Sequence, residues 1–286
     1  MAPDAAGRFE KDIELAMIQD LLDRMIEAAI AASGVICDVY EQPFDTVEKA
    51  DGSPVTLADQ RAEDLILERL APTGIPVLAE ESVSAGRIPE LGSRYFVVDP
   101  LDGTKEFIKR NGEFTVNIAL VEHGRPTCGV VMAPATGALY VGGPDGAFQT
   151  TVTEGQPGPL TRMNVSLEGK LHIVASRSHG HEALGPLCQE LGVEGDVSVG
   201  SSLKFCLVAS GRAQLYPRFT PTCEWDTAAG QAVLEAAGGV VLTLDGAPLG
   251  YGKVNDRFLN RFFVAAADEG MATRAARLMR ELVGDR

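Results

Sequence analysis

What this chain has little of narrows its possibilities first. Its 286 residues include five cysteines, Cys37, Cys128, Cys188, Cys206 and Cys223. They are odd in number and scattered, with no Cys-x-x-Cys pair and no histidine at metal-ligand spacing. That excludes a disulfide framework and a zinc site, and fits a reducing cytosol. Basic residues are also short: Lys+Arg 25 against Asp+Glu 40 leaves a net charge of −15. Such a surface repels a phosphate backbone, which excludes a nucleic-acid polymer held on a basic face. It also sets a puzzle for any anionic small substrate, which would need something cationic in its site. No apolar run approaches the roughly 18 residues needed to span a bilayer, so no integral membrane segment is expected. The opening MAPDAAGRFEKDIEL lacks the basic and apolar stretches of a signal peptide. A soluble, cytoplasmic protein is the expectation.

What is present is a core. Hydrophobic residues make up 45% of the chain, which rules out disorder. The length fits two domains, or one large one, at roughly 150 residues each. Apolar spacing from Phe9 to Ala32 predicts a helix closed by Gly34, and a second is predicted over Leu57–Leu70, ended by Pro72 and Gly74. The first helix's apolar face would serve either internal packing or a homodimer. Strands are predicted at Ile75–Ala79, Arg94–Val98, Thr115–Glu122, Thr127–Met132 and Ala138–Val141, the third and fourth forming a hairpin through His123–Pro126. Gly142–Leu160 is rich in Gly, Pro and Thr, and is the expected junction between residues 1–150 and residues 151–286. Beyond it, strands and helices alternate up to a closing helix over Met271–Leu282. The alternation predicts a layered α/β fold, and the hairpins predict mixed sheets.

Three acidic clusters stand at element ends. Glu80 and Glu81 follow an apolar strand; Asp99-Pro100-Leu101-Asp102-Gly103-Thr104 ends another; Asp226 precedes a small-residue helix. Asp99 and Asp102 can converge on one point, and converging carboxylates need a cation. All-oxygen ligands select Mg²⁺ over zinc or copper, and two such ions clamp a phosphoryl group during transfer to water. Each cluster also has a plainer reading. Asp226 suits a helix N-cap, and Glu80 and Glu81 suit a solvated surface. Thr56-Leu57-Ala58-Asp59 fits a capping box at the start of the second helix.

Taken in order, Glu80-Glu81, Asp99-Pro100-Leu101-Asp102-Gly103-Thr104 and Trp225-Asp226-Thr227-Ala228-Ala229-Gly230 resemble the inositol monophosphatase superfamily of Mg²⁺-dependent, lithium-sensitive phosphatases, over about Ser53–Gly239. The resemblance implies a layered α-β-α-β-α sandwich binding two or three Mg²⁺ ions. Glu80, Asp99 and the Leu101 carbonyl would hold the first, and Asp99, Asp102 and Asp226 the second. The Gly103 and Thr104 amides would meet the phosphate. A metal-activated water would attack, oriented by Glu80 and Thr104, with Asp59 hydrogen-bonded to the Thr104 hydroxyl. The site would lie between an N-terminal part carrying most ligands and a C-terminal part carrying Asp226 and the specificity segments.

Within that superfamily, Asp102–Phe107, Ala175–His179, Gly200–Phe205 and Leu215–Phe219 look like the 3′(2′),5′-bisphosphate nucleotidases of CysQ type. The implied substrate is a small phosphorylated nucleotide, adenosine 3′,5′-bisphosphate, cleaved at its 3′-phosphate to AMP and phosphate. The resemblance thereby implies a part in nucleotide recycling in sulfur metabolism. Arg177, Lys204 and Arg218 would then face the phosphate that is not cleaved. Inositol 1-phosphate hydrolysis on the same metal site is the alternative reading. A non-catalytic metal or nucleotide sensor is the rival from another class. Trp225, the only tryptophan, is expected in the core. The role of Glu224, one residue before it, stays open.

Overall fold

The structure, a computed structural model, describes residues 5–48, 54–175 and 181–284. The first half of the chain runs α1 (Ala5–Tyr40), β1 (Thr46–Glu48), β2 (Pro54–Thr56), α2 (Leu57–Leu70), β3 (Val77–Ala79), α3 (Glu80–Ser84), β4 (Arg94–Asp102) and α4 (Thr104–Ile108). Strands β5 (Thr115–Glu122), β6 (Arg125–Ala133), β7 (Ala138–Gly143), β8 (Gly146–Thr153), β9 (Gln156–Pro157) and β10 (Thr161–Met163) follow. Next come β11 (His172–Ala175), α5 (Leu184–Leu191), β12 (Gly195–Ser198), α6 (Leu203–Ala209), β13 (Leu215–Arg218), β14 (Thr222–Cys223) and α7 (Ala228–Ala236). The chain closes with β15 (Val240–Thr243), β16 (Leu259–Asn260), β17 (Phe263–Ala266) and α8 (Glu269–Val283).

Strand alternation sorts these elements into layers. On β4, Phe96 and Val98 face one core while Tyr95 and Val97 face another. The first pair packs against Met25, Ala29 and Ile36 of α1 and Ala62 and Ile66 of α2. The second pair packs with α6 and α7 residues such as Phe205 and Val233. The same split recurs on β17: Phe263 and Ala265 point towards α6 and α7, while Val264 and Ala266 join Leu187 and Met279 of α5 and α8. The result is an α-β-α-β-α sandwich. Its larger sheet has strand order β10-β8-β7-β6-β5-β4-β3, with β9 on β8; its smaller has order β12-β11-β13-β17-β15. Both are mixed: β3 runs parallel to β4 and β11 parallel to β12 and β13, with antiparallel neighbours beside them.

Two expectations are corrected. Helix α1 does not stop at Gly34 but runs to Tyr40, because Ile36 and Val39 extend the buried stripe begun by Leu21 and Leu22. Its earlier apolar residues Ile13 and Met17 are 47% and 56% exposed, so the stripe is shorter at its start than the sequence pattern suggests. The Gly-, Pro- and Thr-rich stretch after Gly142 carries β8 and β9, which widen the larger sheet. Among the described residues, no helix is long and apolar enough to cross a membrane.

Two facing glycines set how closely the middle helices approach the larger sheet. Gly129 on β6 pairs across the ladder with Gly142 on β7. A Cβ on Gly142 would come within 2.6 Å of Val233 Cα, and one on Gly129 would run into the Ala229 carbonyl. Helix α7 therefore lies with its backbone directly on the sheet, which brings the Asp226 end of the chain over β4 and β5. Gly129→Ala should push α7 outward and cost on the order of 1–3 kcal/mol, as overpacking in a tight core does. Urea denaturation checks this, and an unchanged midpoint would contradict the close approach.

Candidate active site

The site forms where β3 and β4 end side by side. Their parallel register pairs Ala79 with Val98, so the next residues, Glu80 and Asp99, leave the sheet level with each other. Open α/β sheets place ligands at such carboxyl ends. Pro100 then interrupts the β4–β5 ladder with an irregularity between Asp99 and Asp102. The Leu101 amide donates to Asp99 Oδ1 at 2.9 Å, which turns the chain back so that Asp102 also faces the site. Gly103 adopts φ 94°, a conformation that favours glycine, and opens α4 at Thr104.

Asp226 arrives from the next layer. Its carboxylate does not cap α7, whose N-cap residue Thr227 makes no side-chain capping bond either and turns its hydroxyl to Glu224, Tyr251 and Asn260 instead. Instead Asp226 Oδ2 accepts from the Cys223 amide at 2.9 Å and from the Thr222 hydroxyl. Asp99, Asp102 and Asp226 thereby each present an oxygen, all within 4.8 Å of one another. Burial raises the Asp99 pKa well above the ordinary carboxylate range, and Glu80, Asp102 and Asp226 raise it further. Burial and then Asp226 lift Asp102 to about 6, opposed by Lys204 and by hydrogen bonds from Ser202 and Asn117. A hard, oxygen-seeking cation fits this donor set: carboxylates alone, crowded and each disfavoured as an anion by its neighbours.

Asp59 makes the hydrogen bonds of the capping box and the bond to Thr104 at once. Its Oδ2 closes the capping box, accepting from the Thr56 amide and hydroxyl, both at 2.7 Å. Its Oδ1 accepts from the Thr104 hydroxyl at 3.1 Å, 45 residues away in sequence. At 1% exposure the carboxyl pays for desolvation with a raised pKa. The Thr104 hydroxyl also lies 3.3 Å from the Leu101 carbonyl, so Asp59, Leu101 and Thr104 form one corner of the site.

The expected substrate cations are placed unequally. Lys204 is only 4% exposed, and its ammonium donates to the Ser201 carbonyl at 2.7 Å. It acts as an electrostatic counterweight to Asp102. Arg218 ends β13 with its Nε on the Thr220 carbonyl at 3.1 Å. Burial opposes its charge, but Tyr216, Asp226 and Asp102 hold its pKa above the ordinary value, which marks it as facing the cluster. Arg177 lies outside the described residues. Glu224 is fully buried and turned to the loop below, accepting from the Gly252 and Lys253 amides at 2.9 Å each and pairing with the Lys253 ammonium at 3.4 Å. It fastens the segment carrying Asp226. Trp225 is 7% exposed and in the core, as expected.

Sequence reasoning missed several supporting residues. Asn117 sits directly across from Asp99 on β5, and its amide reaches Asp102 Oδ2 at 3.3 Å and Ser202 Oγ at 2.9 Å. Ser202 in turn donates to the Asp226 carbonyl at 2.8 Å, tying the two halves of the site together. The available signal was one amide in the otherwise apolar strand Val116–Val121. Thr222 and Glu63 carried no signal beyond their spacing from Asp226 and Asp59.

The raised carboxyl pKa values fix a direction. A carboxyl whose pKa is higher folded than unfolded contributes stability below its unfolded value, and that contribution is lost as pH rises through the folded one. Chelator-treated protein should therefore melt several degrees lower at pH 7.5 than at pH 5, and Mg²⁺ should restore more at the higher pH. Asp99→Asn, which removes one repelled charge, should melt higher than wild type without metal and lose the Mg²⁺ response. Scanning calorimetry measures both. A metal-free wild type insensitive to pH would contradict the crowding.

Comparison with known proteins agrees with this geometry. Residues 17–283 match the inositol monophosphatase family. The 3′(2′),5′-bisphosphate nucleotidase CysQ of Escherichia coli O6:H1 is 47% identical over 247 residues, covering 85% of this chain and 98% of the relative. The crystal structure of CysQ from Bacteroides thetaiotaomicron, 40% identical, superposes with a TM-score of 0.75 over 87% of this chain and 98% of that one. The IMPase of Thermotoga maritima, 24% identical, shares the fold with a TM-score of 0.74 over 92% of this chain and 98% of its own. The chain belongs to the inositol monophosphatase family.

Proposed function

We propose that this protein is a Mg²⁺-dependent phosphomonoesterase that hydrolyses the 3′-phosphate of adenosine 3′,5′-bisphosphate, giving AMP and phosphate. The observation that carries this reading is the cluster of buried Asp99 with half-buried Asp102 and Asp226 beside the Asp59–Thr104 pair. The CysQ relatives at 47% and 40% identity support the choice of substrate. Two or three Mg²⁺ ions, held by Glu80, Asp99, the Leu101 carbonyl, Asp102 and Asp226, would polarise the phosphoryl oxygens and acidify a water.

The protein's own groups then divide the work. Because the Thr104 hydroxyl donates to Asp59, its lone pairs are free to accept from the attacking water. Thr104 and Glu80 thus aim the water at phosphorus. Its proton can pass to Thr104 as the Thr104 proton passes to Asp59, whose burial-raised pKa makes it a better acceptor. The Gly103 and Thr104 amides, directed by the turn at Gly103, receive phosphoryl oxygens. Arg218 supplies positive charge for the phosphate that stays on the nucleoside, and Lys204 moderates the charge on Asp102 from below.

A panel of phosphomonoesters tests the reading. Adenosine 3′,5′-bisphosphate should release phosphate only with Mg²⁺, and lithium should suppress the release. Equal or faster turnover of inositol 1-phosphate would overturn the substrate, and an inactive, folded wild type would favour a sensor. Arg218→Ala should raise KM for the bisphosphate about tenfold while leaving a simple monophosphate nearly unaffected, as loss of one charge-assisted phosphate contact implies. An equal effect on both substrates would remove Arg218 from the specificity pocket.

A further inference from the structure

Helix α2 carries a second buried carboxylate that the proposed chemistry does not use. Glu63 lies one turn beyond Asp59 on the same face and is 2% exposed. Its Oε2 accepts from the Glu81 amide and its Oε1 from the Ser82 hydroxyl, both at 2.7 Å. Both donors belong to the first turn of α3, the five-residue helix that begins at Glu80. A helix that short does not hold itself together in isolation, and its N-cap position, Ala79, has no side chain able to cap it. Glu63 supplies from another element the acceptors that α3 lacks.

Burying a carboxylate is expensive, and an apolar residue here would pack against the α2 core at no such penalty. What the carboxylate provides is direction. With both oxygens engaged by consecutive residues of α3, the first turn of α3 is fixed relative to α2, and Glu80 with it. The other short helix at the site, α4, is fastened to α2 in the same manner through Asp59 and Thr104. One straight element, α2, therefore sets the spacing between the two corners of the site.

We infer that Glu63 is a positioning residue for the metal site, acting through α3 to hold Glu80 level with Asp99. The inference rests on the reading of Glu80 as a metal ligand. It is tested by calorimetric titration of the chelator-treated full chain with Mg²⁺ alone, which needs no substrate. Glu63→Gln keeps the size of the side chain but presents an N–H₂ to donors, and should weaken Mg²⁺ binding about tenfold, as loss of a group that orients a ligand does. Leu70→Ala, a cavity in the same helix away from the site, should lower the melting temperature at least as much and leave Mg²⁺ affinity unchanged. Unaltered binding by Glu63→Gln, or equal weakening by Leu70→Ala, would overturn the inference. Should Glu63→Gln fail to fold, Ser82→Ala removes one of the two contacts; a several-fold loss of Mg²⁺ affinity is expected, and none would overturn the inference. Failure of the nucleotidase reading would look different: wild type would bind Mg²⁺ without releasing phosphate, and the comparison among variants would still stand.

Discussion

Asp99, Asp102 and Asp226 hold oxygens within 4.8 Å of one another, and Glu80 is close enough to push the Asp99 pKa up further. Burial removes the water that would screen them, so repulsion that would be modest on a surface becomes a strong force against this arrangement. Much of the surrounding structure is there to hold these anions in place despite it. Neutral donors engage them from each side: the Leu101 amide on Asp99, the Asn117 amide on Asp102, the Cys223 amide and Thr222 hydroxyl on Asp226. The nearby Lys204 and Arg218 lower the repulsion without cancelling it. A divalent cation completes the balance, and the puzzle of an acidic chain handling an anionic substrate resolves there: bound metal reverses the local sign.

The scaffold delivers each anion by a different route. Parallel strands β3 and β4 set Glu80 beside Asp99, and the interruption at Pro100 turns Asp102 inward. Helix α7 lies directly on Gly129 and Gly142 and carries Asp226 over the sheet. Below it, Glu224 binds the Gly252–Lys253 loop, and Asn260 donates to Thr227 at 2.7 Å, so the base of α7 cannot drift. Chain segments far apart in sequence thus converge on one site, where ligand positions matter on a scale of about 0.5 Å.

Much of this was legible in the sequence because it depends on local rules. Leu57–Leu70 is bounded by a capping box and by Pro72 and Gly74, and the helix forms over those residues. Asp99–Thr104 encodes its own turn through proline, glycine and a carboxylate that satisfies a backbone amide. The remainder depends on partners remote in the chain. Gly34 looks like a helix stop until Ile36 and Val39 find a core to enter. Gly146–Thr153 lacks a clear apolar period because β8 lies towards the edge of the larger sheet, between β7 and β10. Lys204 is buried with its ammonium 5.7 Å from the centre of the Tyr216 ring, a contact with another strand that its local sequence does not show. Asp59 was ambiguous because a carboxylate has two oxygens, and here one accepts from Thr56 in the capping box while the other accepts from Thr104.

The central claim is that the cluster holds protons it would not hold as isolated carboxylates, and that a cation displaces them. Titrating the chelator-treated protein with Mg²⁺ at pH 6, in two buffers of different ionisation enthalpy, measures that displacement directly. The heats should differ between buffers by the protons released, and the difference should shrink as the pH is raised to 8. Identical heats at pH 6 in both buffers, with Mg²⁺ bound, would contradict the account.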